Sequence, residues 1–214
     1  TNLIANYVPS QNSLLNFLPN NLTLKSEAVR NRIAQAALDR MKIAKTRSPF
    51  YISDGAQLIR VGNTSDHADW IGEADWIIEA VRENLDVKRQ VHRLIEEHRT
   101  SGTLVSSNTS GISIRAMSEQ LSDDYKSCFL GTHFFNPTRY MCLLEIIATD
   151  KTRPDLVEFI SDFGERTLGK GIVRCKDTPN FIANRLGVFA LMQALHGMAE
   201  QGLNAETVDG VTGQ

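Results

Sequence analysis

The sequence has no run long and apolar enough to cross a membrane, no excess of one charge, and almost no cysteine. The first absence leaves no candidate transmembrane helix, which needs about 20 consecutive apolar residues. The second excludes the basic surface that nucleic acid selects, because 23 Lys and Arg are interspersed with 25 Asp and Glu for a net charge of −2. The three cysteines, Cys128, Cys142 and Cys175, lack metal-ligand spacing, and an odd number fits a reducing, cytoplasmic compartment. Each sits in or beside an apolar run and reads as a small buried hydrophobe. What remains, at 42% hydrophobic residues in 214, is a globular chain of one large or two small domains. No signal-peptide pattern accounts for a start at Thr1, so the chain is expected to be a piece of a longer polypeptide.

Residues 1–24 are rich in Asn, Ser and Leu, carry Pro9 and Pro19, and read as an irregular arm. Residues 26–44 show helical spacing through Val29, Ile33, Ala36, Ala37, Met41 and Ala44, with Ser26 as N-cap. Short strands are expected at 57–61, 74–80 and 103–106, with helices at 85–98 and 112–121. In the first of these helices Val87, Val91, Leu94 and Ile95 form the apolar stripe. Strands alternating with helices at this rhythm predict an α/β layer on a parallel sheet. The run holding His133 is the next strand, and LLEII (143–147) follows too closely for a helix between them, so it should pair antiparallel. A helix over 154–168 closed by Gly169, a last strand at 171–175 and a long helix from Asp177-Thr178-Pro179 to about Gln201, with Thr178 or Asp177 as N-cap and Pro179 in its first turn, complete the reading. Apolar residues cover most of that last helix, which predicts burial nearly all round and a helical partner layer.

Chemistry concentrates in GTHFFNPTRYMCLLEII, residues 131–147. Glu145 stands among aliphatic neighbours, where an unpartnered carboxylate costs several kcal/mol or gives up its charge. His133, on the preceding run, is the nearest group able to answer it across a strand pair. A His held by a carboxylate is an oriented general base. The plainer alternative is a core His and a Glu that reaches solvent at a sheet edge. Ligands of open parallel sheets bind beyond the carboxyl ends of the strands, and three polar clusters fall there: Glu83 with Lys88, Asn108 with Thr109 and Ser110, and His133 with Asn136-Pro137. Taken singly, Asn108 and Ser110 are ordinary turn formers, and Glu83 and Lys88 a solvated pair. Asn184, one turn into the last helix, needs a hydrogen-bond partner, which backbone would satisfy. His67, His92, His98 and His196 read as surface or edge residues.

SSNTSG, GTHFFNP, LLEII and KDTPNFIANR, in this order and after IIEAVRENLDVK, resemble the L-3-hydroxyacyl-CoA dehydrogenases of fatty-acid β-oxidation. The wording around residues 131–147 is most similar to the dehydrogenase part of bacterial multifunctional β-oxidation proteins. The resemblance implies an NAD-dependent oxidation of L-3-hydroxyacyl-CoA to 3-ketoacyl-CoA. It implies His133 as catalytic base, Glu145 as its orienting carboxylate, and Ser110 and Asn184 on the substrate oxygen. Glu83, Lys88, Asn108, Ser110 and Asn136 would line the NAD site. The fold implied is a Rossmann-type NAD-binding domain over residues 25–178, followed over 179–214 by the first long helix of an all-α C-terminal domain. The family's glycine-rich G-x-G-x-x-G turn, which seats a pyrophosphate on a helix N-terminus, is not in the sequence. The domain is therefore expected to lack its first strands. An acyl-CoA substrate, a homodimer through the helical domain and a thiolase partner are the partners implied. A catalytically silent scaffold relative, or a dehydrogenase of another hydroxy acid on the same scaffold, remains the alternative.

Overall fold

A computed structural model describes residues 23, 26–43 and 49–213. The expected arm over 1–24 falls almost entirely outside the described residues. The described chain forms one five-stranded sheet in sequential order: β1 (Trp76–Glu79), β2 (Leu104–Ser107), β3 (Phe129–Phe134), β4 (Leu143–Ile147) and β5 (Gly171–Cys175). Strands β1, β2 and β3 run parallel, β4 turns antiparallel to β3 as the short connection requires, and β5 is parallel to β4. The helices are α1 (Glu27–Ile43), α2 (Leu85–His98), α3 (Ile114–Ser118), α4 (Asp123–Ser127), α5 (Pro154–Arg166), α6 (Ala183–Gln201) and α7 (Ala205–Thr212). None among the described residues is long and apolar enough to cross a membrane.

Strand alternation divides the core in two. Val105, Phe129, Ile147 and Cys175 face Ile95, Ile114, Met117 and Tyr125 on one side of the sheet. Leu104, Leu130, Leu144 and Ile146 meet Val157 and Ile160 of α5 on the other. Each fully buried aliphatic side chain contributes roughly 1.5–3 kcal/mol of transfer free energy. Helix α2 starts where Asn84 Oδ1 accepts the Val87 N–H (3.0 Å). Helix α5 ends before Gly169, whose φ of 64° lies in the left-handed region that suits glycine.

Four expectations need correction. Residues 57–61 form no strand: a 3-10 turn, Ser53–Leu58, is followed by extended chain, and Arg60 stacks on Trp70 (3.6 Å) and pairs with Glu73 (2.9 Å). Three apolar residues, interrupted by Arg60, were too few to separate a strand from a segment packed on a neighbouring loop. Cys142 is exposed, whereas Cys128 and Cys175 are buried. His92 is not a surface residue; it is fully buried on α2. No residue of α6 is buried, and Leu186 and Phe189 are 64% and 63% exposed, because the described residues supply no layer to cover it.

The segment before α6 also departs from expectation. The helix begins at Ala183, not at Pro179, because Asn180 (φ 62°) and Phe181 (φ 49°) turn left-handed and drive the Phe181 ring into the core. Asp177 does not cap its own helix. Its carboxylate accepts from Ser113 Oγ (2.7 Å) and from the Ile114 and Arg115 amides (2.9 Å each), and so caps α3. Asp177→Ala should therefore lower stability by about 1–2 kcal/mol, the usual cost of a lost N-cap. The check is the urea midpoint at constant m; an unchanged midpoint would contradict the assignment.

Candidate active site at the carboxyl rim of the sheet

Antiparallel pairing places His133 directly opposite Glu145. His133 Nδ1 lies 2.7 Å from Glu145 Oε2, and both residues are buried. The carboxylate must accept, so Nδ1 carries the proton and Nε2 presents its lone pair. Ser110 Oγ stands 3.2 Å from that Nε2 and donates to it. The other oxygen of Glu145 accepts the amides of Ile182 (3.1 Å) and Ala183 (2.8 Å), the first N–H groups of α6. One buried carboxylate thus joins the imidazole to a helix N-terminus, where negative charge is favoured. Phe135 and Phe181 flank the imidazole, with ring centroids at 4.4 and 5.6 Å.

Ser110 belongs to a turn gathered around one oxygen. Glu83 Oε1 accepts from Thr109 Oγ1 (2.5 Å) and from the amides of Ser110 (3.1 Å), Gly111 (3.1 Å) and Ile112 (3.3 Å). Asn184 Nδ2 donates to the Ser110 carbonyl (3.1 Å), so the amide expected to need a partner finds it in the backbone of this turn. Gly111 passes so close to Asn180 that an added Cβ would sit 2.7 Å from Oδ1. Asn108 Oδ1 accepts the Phe134 amide (2.9 Å), which ties the end of β2 to the end of β3. Asn136 is exposed just beyond β3. Ser110, His133, Glu145 and Asn184 are therefore brought together, with Glu83 and Asn108 bracing the turn and Asn136 at the rim.

Lys88 is placed differently from the solvated pair and from the open rim that the sequence suggested. Its side chain is 1% exposed, and Nζ donates to Glu79 Oε1 (2.9 Å) and Oε2 (3.2 Å) and to the Val81 carbonyl (3.3 Å), with Glu83 at 3.4 Å. Glu79, at the end of β1, was overlooked in the sequence. The signal was present: a lone carboxylate in WIIEA is the same anomaly as Glu145 in LLEII.

The electrostatics follow from these partners. Burial pushes the Glu145 carboxyl up, but the His133 hydrogen bond and the Ala183 and Ile182 amides outweigh it and leave it below its ordinary value. Glu83 is likewise held low against burial by the Thr109 hydroxyl and the Lys88 charge. The Cys175 thiol, buried beside Glu145, is pushed up to about 12 by burial and then by that charge, so it is an inert thiol and not a nucleophile. A separate cleft of about 790 Å³, lined by Trp76, Ile78, Phe134 and Phe163, opens beside β1 and contains none of these residues. Trp76 and Phe134 pack with the α5 layer, so this cleft lies across the sheet from His133.

A mainly parallel sheet with a carboxylate-held imidazole and a serine turn at its carboxyl rim defines an α/β domain of the dinucleotide-binding, Rossmann type. Residues 19–178 match the family 3-hydroxyacyl-CoA dehydrogenase, NAD binding domain, and the chain belongs to that family. It is 46% identical over 209 residues to a probable 3-hydroxyacyl-CoA dehydrogenase of Bacillus subtilis, covering 94% of this chain and 26% of that protein. A probable 3-hydroxyacyl-CoA dehydrogenase of Deinococcus radiodurans is 41% identical, over 90% of this chain and 55% of its own length. The crystal structure of 3-hydroxybutyryl-CoA dehydrogenase from Escherichia coli K12 superposes with a TM-score of 0.68 at 28% identity, covering 82% of this chain and 37% of that one. The chain thus spans between about a quarter and just over half of the curated relatives named here.

NAD is the cofactor of this family domain. Glu83, with its side chain 45% exposed, Asn108, Ser110 and Asn136 stand beyond the carboxyl ends of three strands, where open parallel sheets bind such groups. The glycine turn that would seat the pyrophosphate is not among the 214 residues. A carboxyl held below its ordinary value of 4.5 contributes stability that is present above pH 4.5 and is lost as pH falls through the lower folded value. Glu145→Gln should therefore unfold with a shallower dependence on pH below 4.5 than the wild type, measured by denaturant titrations across that range. Identical slopes would show that Glu145 carries no such stabilisation.

Proposed function

We propose that the protein oxidises L-3-hydroxyacyl-CoA to 3-ketoacyl-CoA with NAD, using His133 as general base. The observation that carries this reading is an imidazole whose Nδ1 lies 2.7 Å from a buried carboxylate, which leaves an unprotonated Nε2 facing Ser110. His133 Nε2 takes the proton of the 3-hydroxyl, and in the reverse direction returns it. Glu145 stabilises the imidazolium that forms and keeps the ring from rotating. Ser110 Oγ, 3.2 Å from Nε2, and Asn184, hydrogen-bonded to the Ser110 carbonyl, fix the reacting oxygen. When bound, NAD supplies the hydride acceptor. Glu83, Asn108, Ser110 and Asn136 line its nicotinamide side, and Lys88 acts on that side through Glu83.

Residues 25–178 are assigned to the NAD-binding domain and residues 179–214 to the beginning of a helical domain; the family match ending at residue 178 supports that boundary. The uncovered apolar side chains of α6, Leu186 and Phe189 among them, support a homodimer through the helical residues. A thiolase is the partner that the 3-ketoacyl-CoA product calls for. Free cysteines, one of them exposed, support a reducing cytoplasm.

Reduction of acetoacetyl-CoA, followed by loss of NADH absorbance, tests the reading directly. His133→Gln should lower kcat by about 10²–10⁴ while leaving KM for NADH within a few-fold. Full turnover in that variant would remove His133 from the mechanism.

A further inference from the structure

The buried carboxylate of Glu79 touches nothing at the rim, yet two routes, one of hydrogen bonds and one through an ion pair, lead from it to the turn that carries Ser110. On the first, Ser107 Oγ donates to Glu79 Oε2 (2.5 Å) and accepts the Thr109 amide (3.2 Å). On the second, Lys88 Nζ bridges Glu79 (2.9 Å) to Glu83 (3.4 Å), and Glu83 Oε1 gathers the Thr109 hydroxyl and the Ser110, Gly111 and Ile112 amides. The Glu79 backbone carbonyl adds a third tie, accepting the Asn108 amide (2.7 Å).

We propose that Glu79 is a positioning residue of the rim site, one that holds Lys88 and Ser107 and through them fixes the 108–112 turn so that Ser110 meets His133. The proposal rests on the reading of Ser110 and His133 as the reacting pair. Glu79 is 3% exposed and receives the Val81 amide (2.6 Å), Ser107 and Lys88 together, with His92 Nε2 at 3.5 Å from Oε2. Tyr125 OH lies 2.6 Å from His92 Nδ1, and the tautomer in which the phenol donates carries the His92 proton on the nitrogen facing Glu79. Burial pushes the Glu79 carboxyl up, but His92, Ser107 and Lys88 bring it down to about 2, so it remains a charged acceptor through the neutral range. Lys88 needs that charge. A buried ammonium left with Glu83 alone would pull the Glu83 carboxylate inward and away from the turn amides. A carboxylate that only anchored β1 to α2 would need neither the bond to Ser107 nor a Lys88 shared with Glu83.

The test is Glu79→Gln, which keeps shape and removes charge, read in two ways on the full chain. Amide hydrogen exchange of Ser110, Gly111 and Ile112 should quicken by about 10-fold or more, while β4, β5 and α5 follow only the change in global stability. In acetoacetyl-CoA reduction kcat should fall by about 10–100-fold, with KM for acetoacetyl-CoA little changed, as expected of a slightly misplaced serine. Ser107→Ala, which cuts one route and spares the ion pair, should give a smaller effect of the same kind and serves where Glu79→Gln fails to fold. Uniform quickening of exchange across the sheet, or an undisturbed turn, overturns the proposal. If the turn loosens as expected but the wild type has no dehydrogenase activity, the link from Glu79 to the turn stands and the reading of the reaction falls.

Discussion

A carboxylate shut away from water has to find its donors inside the protein, and the arrangement of this sheet depends on how Glu145 finds them. It accepts the His133 imidazole on one oxygen and the first amides of α6 on the other. Removing any of these would leave a buried charge short of partners, a loss of several kcal/mol. The requirement fixes more than a side chain. It sets the register of β3 against β4, selects the imidazole tautomer and determines where α6 leaves the sheet. Asn184 rides on that helix to the Ser110 turn, so the base, its brace and the serine are placed by one electrostatic constraint.

The same solution appears a second time three strands away. Glu79 ends β1 as Glu145 sits within β4, buried among apolar neighbours and answered by a cation, a hydroxyl and an amide. The two carboxylates flank the serine turn: Glu145 governs His133, and Glu79 governs Lys88 and, beyond it, Glu83. Rim geometry in an open sheet would otherwise be left to loops. Here buried carboxylates and their donors extend the rigidity of the strands into the turns that follow them.

Much of this was legible in the residues. The alternation of strands and helices, the antiparallel β4 and the meeting of His133 with Glu145 follow from period, connection length and the cost of an unpaired buried charge. Helix α2 was predicted at its observed limits from its apolar stripe, and the structure adds Asn84 as its N-cap. The failures have equally physical causes. Residues 57–61 carry too short a pattern to distinguish a strand from loop packing. His92 was hidden because a polar residue on the buried stripe of a helix is recognised only once its partners, Glu79 and Tyr125, are known. Asp177 looked like the cap of its own helix; it caps α3, 63 residues earlier in the chain at Ile114, a contact that no local pattern encodes. The expected burial of α6 failed because an apolar circumference marks a helix that would gain from cover, and the described residues place no layer against it.

The central claim is that Glu145 holds His133 with a protonated Nδ1 and a free Nε2. Nitrogen-15 NMR of the imidazole in the neutral form measures this without reference to turnover. The account predicts a protonated Nδ1 and an unprotonated Nε2 for His133, with that preference lost in Glu145→Gln. The opposite tautomer in the wild type, with the proton on Nε2, would leave no base facing Ser110 and would contradict the account.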